Sequence, residues 1–231
     1  MQGRNKIKNF IQLALMAGCA AVTVFFPKVL GRRGYYMAAF VFALLATGAV
    51  FLTFENSKPN SLKMAVIAVM CALGIAGRVV FAGVPFVKPV AAIVMLTGVC
   101  LGPQRGFLRG AVTMLRSNFM FSQGPWTLWQ MLGFGMLGFL AGLIFYKRKK
   151  LQKPAVIAIC GTVFYILITG PILDLSGIFA YSIGGKASLG ATLLAGLPVN
   201  ISSGVATGVF LLFLSKPIIS KLNRIIVKYG L

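Results

Sequence analysis

The chain has 231 residues, 58% of them hydrophobic, with 23 Lys plus Arg against two acids and no His. Its charged fraction of 11% lies far below the roughly one quarter usual for a soluble domain, and its apolar runs approach the ~20 residues that cross a bilayer. An ordinary soluble fold is excluded, a membrane β-barrel would alternate in shorter segments, and an all-α polytopic membrane protein remains.

Eight apolar runs follow one another, at about 9–27, 35–54, 62–82, 84–101, 106–121, 126–146, 154–173 and 189–215. The first follows Arg4, Lys6 and Lys8 and reads through Met16-Ala17-Gly18-Cys19 into more apolar sequence. A cleaved signal has a shorter core and a polar mature start, so this run is expected to be a transmembrane helix. The net charge of +21 lies mostly between the runs, where topology signals sit, and does not mark a nucleic-acid face. With both termini cytoplasmic, sixteen basic residues fall inside and seven outside, and the Lys147–Lys153 cluster decides the orientation. Arg105 and Arg109 count in that tally as cytoplasmic loop charges.

Three external segments are expected, at 78–90, 117–128 and 174–188, each apolar-aromatic with a few polar groups. The first supplies the candidate ligand contacts Arg78, Pro85, Phe86 and Lys88. The second is Ser122-Gln123-Gly124-Pro125-Trp126-Thr127-Leu128-Trp129-Gln130, preceded by Asn118. Two indoles alone would make an interfacial belt. The amides Asn118, Gln123 and Gln130 beside a Gly-Pro turn ask for more, since pockets pair aromatic walls with a few placed polar groups and amides near apolar depth need partners. Trp126 and Trp129 are therefore expected to line a site. The third segment contributes Asp174, the one external acid, and Tyr181. An ion pair with a nearby cation would account for Asp174 equally well.

Ala65, Ala68, Ala72 and Ala76 place a smooth ridge on one helix face. Such ridges let another helix approach closely in lipid, within this chain or in a partner subunit. The pairs Gly98/Gly102, Gly138/Gly142 and Gly204/Gly208 read as internal packing. Pro198 should kink the last helix, with Asn200 either repairing the freed hydrogen bond, the safer reading, or pointing into the pocket.

Chemistry is scarce. Without His, a Ser, Thr or Cys nucleophile has no common base. Glu55 and Asp174 fall on opposite sides of the membrane. Gly184-Gly185-Lys186-Ala187-Ser188 lacks the leading glycine of a phosphate loop. Cys19, Cys71, Cys100 and Cys160 are scattered through apolar runs and form no metal set. No metal, cofactor or ATPase activity is expected.

From about residue 62 onward the chain resembles the substrate-binding S components of energy-coupling factor (ECF) vitamin transporters. The resemblance rests on Gly74-Ile75-Ala76-Gly77-Arg78, on residues 84–92, on Ser117-Asn118-Phe119 with residues 123–131, on Leu197-Pro198-Val199-Asn200, and on Lys216-Pro217-Ile218 with residues 224–231. It implies a six-helix binding core over 58–231, preceded by an extra transmembrane hairpin over 1–57. It implies a multi-pass subunit of a bacterial cell membrane that captures a vitamin outside. It further implies a scaffold subunit, docked on Ala68, Ala72 and Ala76, and two cytoplasmic ATPases. The Gly-Pro-Trp loop is similar to the cobalamin-like branch, so a corrinoid is the expected ligand, with another vitamin as the alternative. A membrane enzyme acting on a lipid or isoprenoid is disfavoured by the lack of acid–base groups. A stand-alone channel or carrier is disfavoured by the few polar residues within the spans.

Overall fold

The computed structural model describes residues 61–124, 126–181 and 189–229, with side chains for 64–124, 126–176 and 190–229. All belong to one compact unit, Asn60–Leu231. The expected hairpin over 1–57 lies outside the described residues. Among the described residues every regular element is helical: α1 (Ser61–Val80), α2 (Val90–Leu101), α3 (Pro103–Phe121), α4 (Trp126–Phe145), α5 (Pro154–Phe164), α6 (Gly170–Tyr181) and α7 (Leu189–Tyr229). A π-helical turn, Tyr165–Thr169, joins α5 to α6 without a break. Trp126–Phe145, Pro154–Ser176 and Gly190–Tyr229 are long and apolar enough to cross a membrane.

Helix α2 lies at the centre. All twelve of its residues are buried, as expected of a helix that is hydrophobic all round. At ~1.5 Å per residue it is only about 18 Å long, too short to span alone. Its neighbours come close because glycines face one another. A Cβ on Gly98 or Gly106 would strike the Gly138 carbonyl oxygen, and one on Gly142 would strike the Pro103 backbone nitrogen. Small residues at such crossings let helix backbones touch. The seam across α2, α3 and α4 thus places Gly98, Gly138 and Gly142 inside the fold. Gly204 and Gly208 pack α7 against Ile166 and Thr162. Met95 and Leu96 of α2 pack in one core with Met114, Leu137, Phe145 and Leu211 of its neighbours.

The helices outrun the apolar runs at several ends. Pro103 occupies the first turn of α3, where its missing N–H costs nothing, so Arg109 falls inside the helix and not in a loop. Its side chain is fully buried, and Nη2 donates to the Met70 carbonyl of α1. The loop expected at 117–128 contracts to the few residues after Phe121, and Asp174 is helical. Helix α7 passes through both Pro198 and Pro217 to Tyr229, where the hydropathy pattern stopped at 215. Helices in a bundle tolerate proline where side chains occupy the freed groups, and Ser215 Oγ donates to the Leu211 carbonyl at 2.5 Å.

Candidate functional site

A cavity of about 310 Å³ opens between α1, α2, α4, the π-turn and α7. Its wall includes Arg78, Pro85, Phe86 and Lys88 on one side, with Gln130 and Phe134 from α4. Opposite stand Tyr165, Leu173, Val199, Ser203 and Thr207. Five of the eleven predicted contacts therefore meet here: Arg78, Pro85, Phe86, Lys88 and Gln130.

Arg78 closes the last turn of α1. Its Nη1 donates to Ser117 Oγ at 2.5 Å and to Asn118 Oδ1 at 2.8 Å, and its guanidinium lies 5.0 Å from the Phe121 ring centre. Those contacts come from the C-terminal end of α3 and fix the charge without neutralising it. Lys88 sits in the α1–α2 connection. Its ammonium loses its proton more readily than an ordinary lysine, first because burial disfavours the charge and then because Arg78 repels it. Beside it Phe86 adopts a φ of 62°, a left-handed conformation that a bulky side chain takes only under constraint from its surroundings.

The amides of the Trp-containing loop serve this same end. Asn118, fully buried, donates to Thr127 Oγ1 at 3.0 Å and to Gln130 Oε1 at 2.8 Å. Thr127 in turn donates to Gln123 Oε1 at 3.0 Å, and Gln123 Nε2 reaches the Leu115 carbonyl at 3.2 Å. Asn118 and Gln123 thus find partners within the chain and hold the α3–α4 corner behind Arg78 and Gln130. Neither indole is among the cavity-wall residues. The Trp126 ring packs over Gly124, where a Cβ would strike it, and Trp129 is 4% exposed within the bundle.

Asp174 accepts from Asn200 Nδ2 at 2.6 Å, so among the described residues its partner is a neutral amide and not a basic residue. Asn200 does not repair the Pro198 kink; it ties α7 to α6. Gly170 and Gly196 allow this, since a Cβ on Gly170 would strike the Asn200 amide and one on Gly196 the Asp174 carboxylate. The backbone of Tyr181 is helical, but its side chain lies outside the described residues. The ridge residues Ala65, Ala68, Ala72 and Ala76 are exposed, while Ile67, Met70, Cys71 and Gly74 face inward.

Two wall residues, Ser203 and Thr207, had a sequence signal that was not used. With Asn200 they recur at intervals of three and four, a polar stripe on one face of α7. Ser203 lies within hydrogen-bonding reach of the Tyr165 hydroxyl, and Tyr165 stacks edge-on against Phe134, 6.3 Å between ring centres. A phenol in the middle of an apolar run usually has a partner, and the π-turn that starts at Tyr165 is itself a frequent mark of functional sites. Among the described residues there is no group of metal-binding side chains.

A concave, mostly apolar cavity with a few placed donors, built into a bundle of membrane-spanning helices, defines a membrane-embedded small-molecule binding subunit. The family profile described as ECF-type riboflavin transporter, S component, matches residues 58–220, and the chain belongs to that family. It is a vitamin-binding transport subunit and not an enzyme. The match does not carry the cobalamin-like branch. No curated protein and no solved structure matches the chain significantly.

Proposed function

We propose that residues 58–231 capture a vitamin at the outer face of a bacterial membrane and release it inward with a scaffold subunit and two ATPases. The observation that carries this reading is the cavity itself, with Arg78, Lys88, Gln130, Tyr165, Ser203 and Thr207 among largely apolar walls. Such a wall suits a flat ring system rich in carbonyl acceptors. A volume of about 310 Å³ is at the lower end of small-molecule pockets and matches a flavin. Riboflavin is therefore the first ligand to test, in line with the family to which the chain belongs. The corrinoid is the second reading, favoured by the 117–131 sequence. It would need the outer connections to part, because a corrin with its side chains is several times larger than the cavity.

The decisive experiment is purification from vitamin-rich medium, identification of what co-purifies, and titration with riboflavin and cyanocobalamin. Submicromolar binding of one of them is expected. Failure of both, with the protein folded, would sink both ligand readings. The same preparation tests docking. The exposed ridge Ala68, Ala72 and Ala76 is the proposed scaffold contact, and Ala72→Trp should hold a partner helix away. Vitamin binding should persist while uptake in cells falls. Loss of binding instead would mean that the ridge is needed within this chain.

The hairpin over 1–57 is proposed as an addition to the binding core, a reading supported by a family match that begins at residue 58.

A further inference from the structure

Among the described residues the cavity wall contains two cations and no carboxylate. The only side-chain carboxylate among the described residues is Asp174, which is held by Asn200. Arg78 and Lys88 share this wall, Arg78 disfavours the charge on Lys88, and partial burial of both reduces the water that would screen them. Two like charges held together at a partly buried wall are costly unless something negative joins them. Nor is the arrangement an accident of flexible side chains. Arg78 is pinned through Nη1 by Ser117 and Asn118, which themselves are fully buried. Among the described residues no hydrogen bond occupies its Nε or Nη2. Lys88 is held between Pro85 and Pro89, in a connection whose Phe86 is in the left-handed region.

We propose that the Arg78–Lys88 end of the cavity holds a phosphate group of the vitamin, so that a phosphate-bearing form is selected over its neutral counterpart. The inference rests on the vitamin-capture reading above and names the chemistry of one end of that site. Phosphate suits the pair better than a carboxylate does. A phosphate monoester carries close to two negative charges at neutral pH, matching the two cations, whereas a diester carries one and should be favoured less. A guanidinium fork and a point-like ammonium are the usual pair of phosphate donors. The rest of the wall is left to the ring system: Phe134 and Tyr165 for stacking, Ser203 and Thr207 for its acceptors. Both ligand readings offer the contrast. Flavin mononucleotide differs from riboflavin by a phosphate, and cyanocobalamin has a phosphodiester that dicyanocobinamide lacks.

The test is a set of titrations of the full chain in phospholipid-free detergent, so that no headgroup supplies the phosphate. Wild type should favour the phosphate-bearing member of at least one pair by roughly tenfold at low salt, with the ratio shrinking as salt is raised. Lys88→Gln should bring the ratio close to one, and Lys88→Arg should retain most of it. A vitamin that binds with no preference within its pair would overturn the subsite and leave the capture reading standing. If neither pair binds, inorganic pyrophosphate is the probe. Thermal stabilisation of wild type but not of Lys88→Gln would support the subsite while sinking the capture of these vitamins. No Lys88-dependent stabilisation would overturn the subsite as well.

Discussion

The two halves of the bundle are built on opposite principles. In α2, α3 and α4, backbones touch through glycines, and 61% of the apolar window of Trp126–Phe145 is buried. In Pro154–Ser176 and Gly190–Tyr229 the buried share is 33% each. The second half is also where the helices are irregular: a π-turn at Tyr165–Thr169, Pro198 and Pro217 inside α7, and a carboxylate–amide pair. The first half fixes Arg78 and Gln130 from behind; the second contributes Tyr165, Ser203 and Thr207. One half gives shape and the other gives adaptable polar groups, so substitutions in the first should cost stability and those in the second should cost binding.

The sharpest way to break this contrast is Gly138→Val. The new side chain would meet backbone on the facing helix, and backbone cannot step aside as a flexible side chain can. A loss above about 4 kcal/mol is expected, seen as failure to recover monodisperse protein. Gly83→Ala, with nothing near its added methyl, should behave as wild type. An equal tolerance at both positions would remove the seam from the account. Next in size is Trp129→Ala, which empties a buried indole site and should cost about 3 kcal/mol in thermal or denaturant unfolding. Trp126→Ala, at a half-buried position over Gly124, should cost less than half as much. If instead the two cost the same stability and both abolish ligand binding, the indoles belong to the cavity wall.

A smaller effect should come from the irregular half. Asn200→Ala deprives Asp174 of its donor, for about 1–2 kcal/mol. In a double-mutant cycle with Asp174→Asn the two changes should be strongly non-additive. Simple additivity would mean that the 2.6 Å contact contributes nothing to holding α6 on α7. The smallest effect is in pH. Lys88 loses its proton below the ordinary lysine range, so its charge is present at low pH and lost as pH rises through that lowered value. The groups facing it are Arg78 from α1 and, across the cavity, Tyr165 from the π-turn. The preference for flavin mononucleotide over riboflavin should therefore fade on raising pH, before free lysine would titrate. A preference constant up to the ordinary lysine range would count against Lys88 as its source.

The sequence disclosed the class, the helical runs and the cavity's first wall, because hydropathy and loop chemistry are local. It did not disclose what depends on where helices cross. Arg109 looks like a loop charge in the pattern, and only the position of α1 reveals that its guanidinium reaches the Met70 carbonyl. The amides of the 117–131 segment look like groups waiting for a ligand. In the fold Asn118 and Gln123 satisfy neighbours, which a linear reading cannot see. Asn200, Ser203 and Thr207 were legible as a stripe, but hidden in a strongly apolar run.

The length of α7 has a mechanical consequence. Forty-one residues at ~1.5 Å each make an axis of about 60 Å, twice the ~30 Å of a hydrocarbon core. The stretch that borders the cavity, Val199, Ser203 and Thr207, runs from about a quarter of the way along to just short of the middle, and Lys216, Lys221, Arg224 and Lys228 lie beyond that middle. A rod of that length works as a tiller. A tilt of about 10° about its middle would carry each end some 5 Å in opposite directions and Val199 about half as far, by the geometry of a ~60 Å axis. A small push on the basic end would then be felt at the vitamin.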